Sequence, residues 1–110
     1  MSADFTIKRD DRLPVLAFQL TYSSGDPIDI SGATLKVLMR QVGETTNKID
    51  TASNITITDG LLGKGEYAWA AGDTDTAGQY RLEVEATISG KKLTSPNRNY
   101  LTVAITEDLG

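Results

Sequence analysis

The sequence predicts an all-β domain, an antiparallel β-sandwich of about seven or eight short strands. Three observations carry this. Apolar residues recur with a period of two along most of the chain, as a half-buried strand requires. Clusters of glycine, proline, serine and aspartate interrupt that alternation roughly every 8–15 residues. No stretch shows the i, i+3, i+4 spacing of an amphipathic helix. Strands with one apolar and one polar face call for two sheets packed face to face, each wet on its outer side. The 110 residues suit one domain over 1–110 with a single core.

The elements follow in order. In "DFTIK", Phe5 and Ile7 share one face and Thr6 and Lys8 the other. "RDDRLP" breaks the pattern, and Pro14 suits the start of the next strand. "PVLAFQLTY" sets Leu16, Phe18 and Leu20 against Val15, Ala17, Gln19 and Thr21. "SSGDP" is a turn, with Gly25 free to take positive φ. "TLKVLMR" points Leu35, Val37 and Met39 inward and Thr34, Lys36, Leu38 and Arg40 outward. "GETTNKIDTASN" reads as a mobile loop with a short edge strand near Lys48–Thr51. "NITITD" is a short strand with Ile55 and Ile57 inward, and "GLLGKG" a glycine hairpin into "EYAWA". "QYRLEVEATI" is the clearest strand, with Tyr80, Leu82, Val84, Ala86 and Ile88 inward. "SGKK" is a hairpin turn, and "LTSPNRNYLTVAI" a last strand interrupted near Pro96.

Composition removes whole classes of chemistry. There is no cysteine, which excludes disulfides, thiolate nucleophiles and cysteine zinc sites. There is no histidine either, which removes the usual base near neutral pH, the usual transition-metal ligand and any Ser-His-Asp triad. No cofactor is expected. Eleven basic and 15 acidic residues give a net charge of −4. Neither sign forms a block, so no basic face invites nucleic acid. No apolar run approaches bilayer length and the N-terminus has no signal pattern, so neither a membrane partner nor secretion is expected.

The stretch "DTDTAGQYRL", residues 73–82, decides between chemistry and architecture. A calcium loop would use Asp73 and Asp75, with Gly78 at the sharp turn. Its third ligand position falls on Ala77, and its distal acidic position on Val84, which faces the core. A catalytic carboxylate pair would lack any partner base. Architecture fits better. The stretch resembles the start of immunoglobulin strand F, where an aspartate precedes a tyrosine by five residues and a cysteine stands two further on. Here Asp75 and Tyr80 match, and Leu82 stands at the cysteine position. The resemblance implies an immunoglobulin-like sandwich and a tyrosine corner, in which the Tyr80 hydroxyl bonds a backbone group a few residues upstream. Asp75 is expected to cap the turn by accepting backbone N–H bonds. Leu82 fills by packing the space of a disulfide.

A wider resemblance runs across nearly all of the chain. Pro27-Ile28-Asp29-Ile30 with Ser31-Gly32-Ala33, the Asp73–Tyr80 corner and the hairpin at Gly90 are similar to small immunoglobulin-like structural proteins of tailed bacteriophages. The likeness is greatest to the N-terminal domain of siphophage upper baseplate proteins. It implies a non-enzymatic virion protein, a baseplate, tail or head–tail accessory module, made in the host cytoplasm. Its partners would be other phage structural proteins, or copies of itself within a ring.

Surfaces for such docking can be nominated. Val15 and Ala17, with Lys36, Leu38 and Arg40 on the following strand, place apolar residues outward among charges. Lys36 and Arg40 are expected near Glu83 and Glu85, since the two strands are neighbours in an immunoglobulin arrangement. Loops on a rigid sandwich commonly carry recognition, which nominates 43–54 and "SPNRN", with Asn97 and Arg98. Tyr67 and Trp69 share a face and are expected in the core. The alternative is a carbohydrate-binding or host-adhesion module, for which they would form a stacking platform. An enzyme would have to be a carboxylate-pair hydrolase, and no motif places such a pair.

Overall fold

The structure, a computed structural model, describes residues 4–95 and 101–107. They form β1 (Phe5–Lys8), β2 (Leu16–Gln19), β3 (Thr34–Gln41), β4 (Asn47–Thr51), β5 (Ile55–Asp59), β6 (Lys64–Tyr67), β7 (Gly78–Ile88), β8 (Lys91–Ser95) and β9 (Leu101–Thr106), with no helix among the described residues. The larger sheet runs β1-β9-β7-β3-β4, and the smaller β2-β6-β5. The two sheets pack as a β-sandwich around one hydrophobic core.

Strand β7 organises the molecule. It pairs along its whole length with β3, from Thr34↔Thr87 to Gln41↔Tyr80. Its other edge is shared end to end: β9 takes Gly78–Leu82 and β8 takes Val84–Ile88. The expected last strand is therefore two strands. The break near Pro96 that separates them lies outside the described residues. Tyr80, Leu82, Val84 and Ala86 are buried in the alternation expected, against Leu35, Val37 and Met39 on β3. Leu35, Val37, Met39, Leu82 and Val84 each contribute about 1.5–3 kcal/mol by leaving water.

Three expectations need correcting. The sandwich is not wholly antiparallel, because β1 runs parallel to β9 with Phe5 opposite Val103. A parallel pair needs a long crossover, and here nearly the entire domain lies between the two strands. The edge strand expected near Lys48–Thr51 is present as β4, one residue longer, and only the loop around it is shorter than expected: β4 pairs with β3 and closes one edge of the larger sheet. Ile57, expected inward, is 37% exposed. It sits on β5, the last strand of the smaller sheet, where no neighbouring strand covers the flank.

Trp69 marks the centre of the aromatic core. Its ring lies 5.7 Å from Phe5 and 5.5 Å edge-on from Tyr67, a favoured aromatic geometry. The hairpin between β5 and β6 is locked by Gly63 at φ +70°, where a Cβ would come within 2.5 Å of the Leu20 carbonyl oxygen. Only glycine fits there. The Leu20 N–H in turn donates to the Gly63 carbonyl at 2.8 Å.

Candidate functional site

The segment between β6 and β7 gathers the polar groups of "DTDTAGQYRL". The chain leaves β6 through Trp69, turns at Gly72 with φ +90°, and enters β7 at Gly78, opposite Ile105. The Tyr80 hydroxyl donates to the Thr76 carbonyl oxygen at 2.7 Å while the residue is 1% exposed. That is the geometry of a tyrosine corner. Leu82, two residues on, is fully buried against the core.

The two aspartates have separate tasks, and the capping role expected of Asp75 falls to Asp73. The Asp73 carboxylate accepts the Ala70 N–H at 2.8 Å and the Tyr67 hydroxyl at 2.5 Å. Burial, and then this bond, push the Tyr67 phenol well above its usual range. The Asp75 carboxylate instead accepts from Lys48 Nζ at 2.6 Å and from the Thr76 hydroxyl at 2.9 Å. Those bonds, Lys48 first, hold it below the usual carboxylate value. The lysine reaches it because β4 bulges: Ile49 pairs with Met39 and Asn47 with Arg40, leaving Lys48 as the extra residue. A bulge re-aims a side chain in just this way. Burial is also the main reason the Tyr80 phenol is raised.

The same segment clamps the β1–β2 connection. The Thr74 hydroxyl, buried, donates to the Asp11 carbonyl at 2.7 Å, and the Asp10 N–H donates to the Thr74 carbonyl at 2.9 Å. The Trp69 indole N–H donates to the Pro14 carbonyl at 3.1 Å, and Arg12 Nε donates to the Trp69 carbonyl at 2.9 Å. Polar groups that could have served chemistry are thereby tied into structure. Among the described residues no group of three or more acidic side chains is placed to hold a metal ion.

The nominated surface residues divide between the two sides of the sandwich. Lys36, Leu38 and Arg40 lie on the outer face of the larger sheet, whereas Val15 and Ala17 belong with β2 on the opposite side. They form no common patch. Alternation on consecutive strands suggested one face, but the chain changes sheets between β2 and β3. Lys36 does stand opposite Glu85, yet its ammonium pairs with Asp50 at 2.7 Å, and that contact raises its pKa. Arg40 faces Arg81 rather than a glutamate, and donates to the Asn47 side chain at 3.0 Å. Leu38, Arg40, Val42, Arg81, Glu83 and Glu85 line an open groove of about 470 Å³ of mixed charge. Asn97 and Arg98 lie outside the described residues.

Tyr67 and Trp69 are each 1% exposed, so they offer no stacking platform for a sugar. Among the described residues the large exposed apolar groups are elsewhere: Leu13 in the β1–β2 connection, Leu61 and Leu62 at the β5–β6 hairpin tip, Tyr22 in the turn after β2, Val42 and Ile57. Glycines on both sides of Leu61-Leu62 signalled a turn in the sequence, and an apolar pair within a turn is the mark of exposure that reading missed. Compared with known proteins, the sequence matches no family model and no curated protein.

Proposed function

We propose that this domain is a non-enzymatic structural module of a tailed-phage virion, which works by docking onto other virion proteins. The observation that carries the reading is the use made of the Asp73–Tyr80 stretch. Asp73, Asp75 and Tyr80 are all engaged in bonds that hold the β6–β7 connection. A rigid sandwich whose polar groups are spent in this way has faces, edges and loops left for recognition. The sequence resemblance to small immunoglobulin-like phage proteins supplies the biological setting. The groove between Leu38 and Glu85 is the first face to examine for a protein partner, because its mixed charge suits complementary ion pairs.

The reading is tested on particles. Antibody raised against the folded domain is applied to tailed particles of the phage or prophage that encodes it, followed by electron microscopy. Label at one defined level of the tail, baseplate or neck is the expected result. Unlabelled particles, with the chain remaining in the soluble lysate, would overturn it.

A further inference from the structure

A two-layer sandwich has four edge strands, and each is an unpaired ladder that could recruit another chain. In this domain β8, which pairs with β7 beside β9, adds a fifth, and four of the five are guarded, β8 by Lys91 and Lys92. β1 and β2 are four residues long, with Lys8 ending the first and Pro14 just before the second. β4 is bulged at Lys48 and charged at Lys48 and Asp50. β5 is different. From Asn54 to Thr58 it carries no charge and no proline, and its own irregularity comes only after Ile57.

The direction of its free backbone groups follows from the neighbouring ladders. On the β2 side of β6, Leu20 N–H donates to Gly63 O in register with Phe18↔Gly65 and Leu16↔Tyr67. Gly65 and Tyr67 therefore address β2, and Glu66 addresses β5, where it faces Thr56. The Ala68 N–H donating to Asn54 O at 2.9 Å fits the same alternation. The N–H and C=O groups of Ile55 and Ile57 consequently point off the sheet. Beside them a slot of about 280 Å³, lined by Ala33, Thr34, Leu35, Ala52, Ile55 and Ile57, opens between the two sheets.

We infer that β5 is a self-association edge, pairing antiparallel with β5 of a second copy about a two-fold axis at Thr56. In that register Ile55 of one copy stands opposite Ile57 of the other, twice. Each such pair exchanges the backbone bonds left free on this edge. The apolar side chains of both copies then continue one another over the two slots. Thr56 meets its own counterpart in a non-hydrogen-bonded pair, where threonines pair favourably. A shift of the axis to Ile57 would bring the irregularity at Thr58 into the ladder and set Ile55 against Asp59. The interface is isologous and closed, as a two-fold requires. It joins the smaller sheets of two domains into six strands. The inference stands on this edge alone, whatever larger particle the domain serves.

The edge is smaller than a standard interface, so the dimer is weak and its mass must be followed to about 1 mM. Sedimentation of the parent chain is expected to shift from one chain toward two over that range. The shift should be lost in Ile57→Lys, which sets a charge on the open edge, while its melting curve stays that of a folded domain. Thr56→Cys supplies a second readout in a chain with no other cysteine. Opposed non-hydrogen-bonded residues lie about 4.5 Å apart at Cα, within disulfide reach. This variant should cross-link much faster on mild oxidation than Thr87→Cys on the outer face of β7. A parent mass independent of concentration, a dimer surviving in Ile57→Lys, or equal cross-linking of the two cysteine variants would each overturn the inference.

Discussion

The Tyr80 hydroxyl donates to the carbonyl oxygen of Thr76, four residues upstream, at 2.7 Å. The bond joins the start of β7 to the turn that precedes it, so ring burial and turn closure depend on one side chain. Tyr80→Phe keeps the ring and leaves the carbonyl without this donor, at an expected cost of about 1–3 kcal/mol. Tyr80→Ala adds a cavity and should cost about 3–5 kcal/mol. Urea unfolding of both variants against the parent measures the difference. A Tyr80→Phe variant as stable as the parent would mean that only the ring matters.

Asp73 and Asp75 should separate sharply under mutation. Asp73→Ala leaves the Ala70 N–H and the buried Tyr67 hydroxyl without their acceptor, each at about 1–3 kcal/mol. Asp75→Ala breaks a solvent-exposed contact with Lys48 and should change the urea midpoint little. A reversal of that order would return the capping role to Asp75.

The same division predicts metal independence. Both carboxylates already have protein partners, so millimolar calcium or a chelator should move the melting temperature by no more than about 1 °C. Differential scanning calorimetry in either condition checks it.

The pH profile follows from the direction of each shift. Asp75 and Asp29 titrate below their usual 3.8, through Lys48 and the Ser31 N–H respectively. Groups of this kind stabilise the fold above that value, and the stabilisation fades as pH falls through their folded pKa. Tyr67 and Tyr80 titrate above their usual 10.0, so their contribution holds below pH 10 and is lost as pH rises past it. The urea midpoint should fall at both extremes. Asp75→Asn should soften the acid limb, and Tyr67→Phe the alkaline one.

Gly63 and Gly43 share a positive φ but differ in surroundings. At Gly43 the space for a Cβ is open, so Gly43→Ala costs only backbone strain, about 1–2 kcal/mol. At Gly63 the added carbon would meet the Leu20 and Ile28 carbonyl oxygens at 2.5 and 2.7 Å. Overpacking there adds about 1–3 kcal/mol more. Thermal melts of the two alanine variants distinguish the terms.

What can be read from the chain alone is whatever a single strand or turn carries within itself. The pleat sends alternate side chains to opposite faces, so the inward sets Leu35, Val37, Met39 and Tyr80, Leu82, Val84, Ala86 are legible before any pairing is known. The tyrosine corner is local too, spanning the five residues from Thr76 to Tyr80. Sheet membership, register and edges are of another kind, because they are set by partners distant in sequence, and the alternating pattern is the same whichever sheet a strand joins. Only the folded chain puts Ala17 and Leu38 on opposite sides of the sandwich, sets Arg40 against Arg81, and leaves Ile57 at an open flank. It also lets the bulge at Lys48 claim Asp75, so that Asp73 holds the turn. Two aspartates one residue apart are nearly equivalent in sequence, and the difference between them comes from what the rest of the molecule brings within hydrogen-bonding distance.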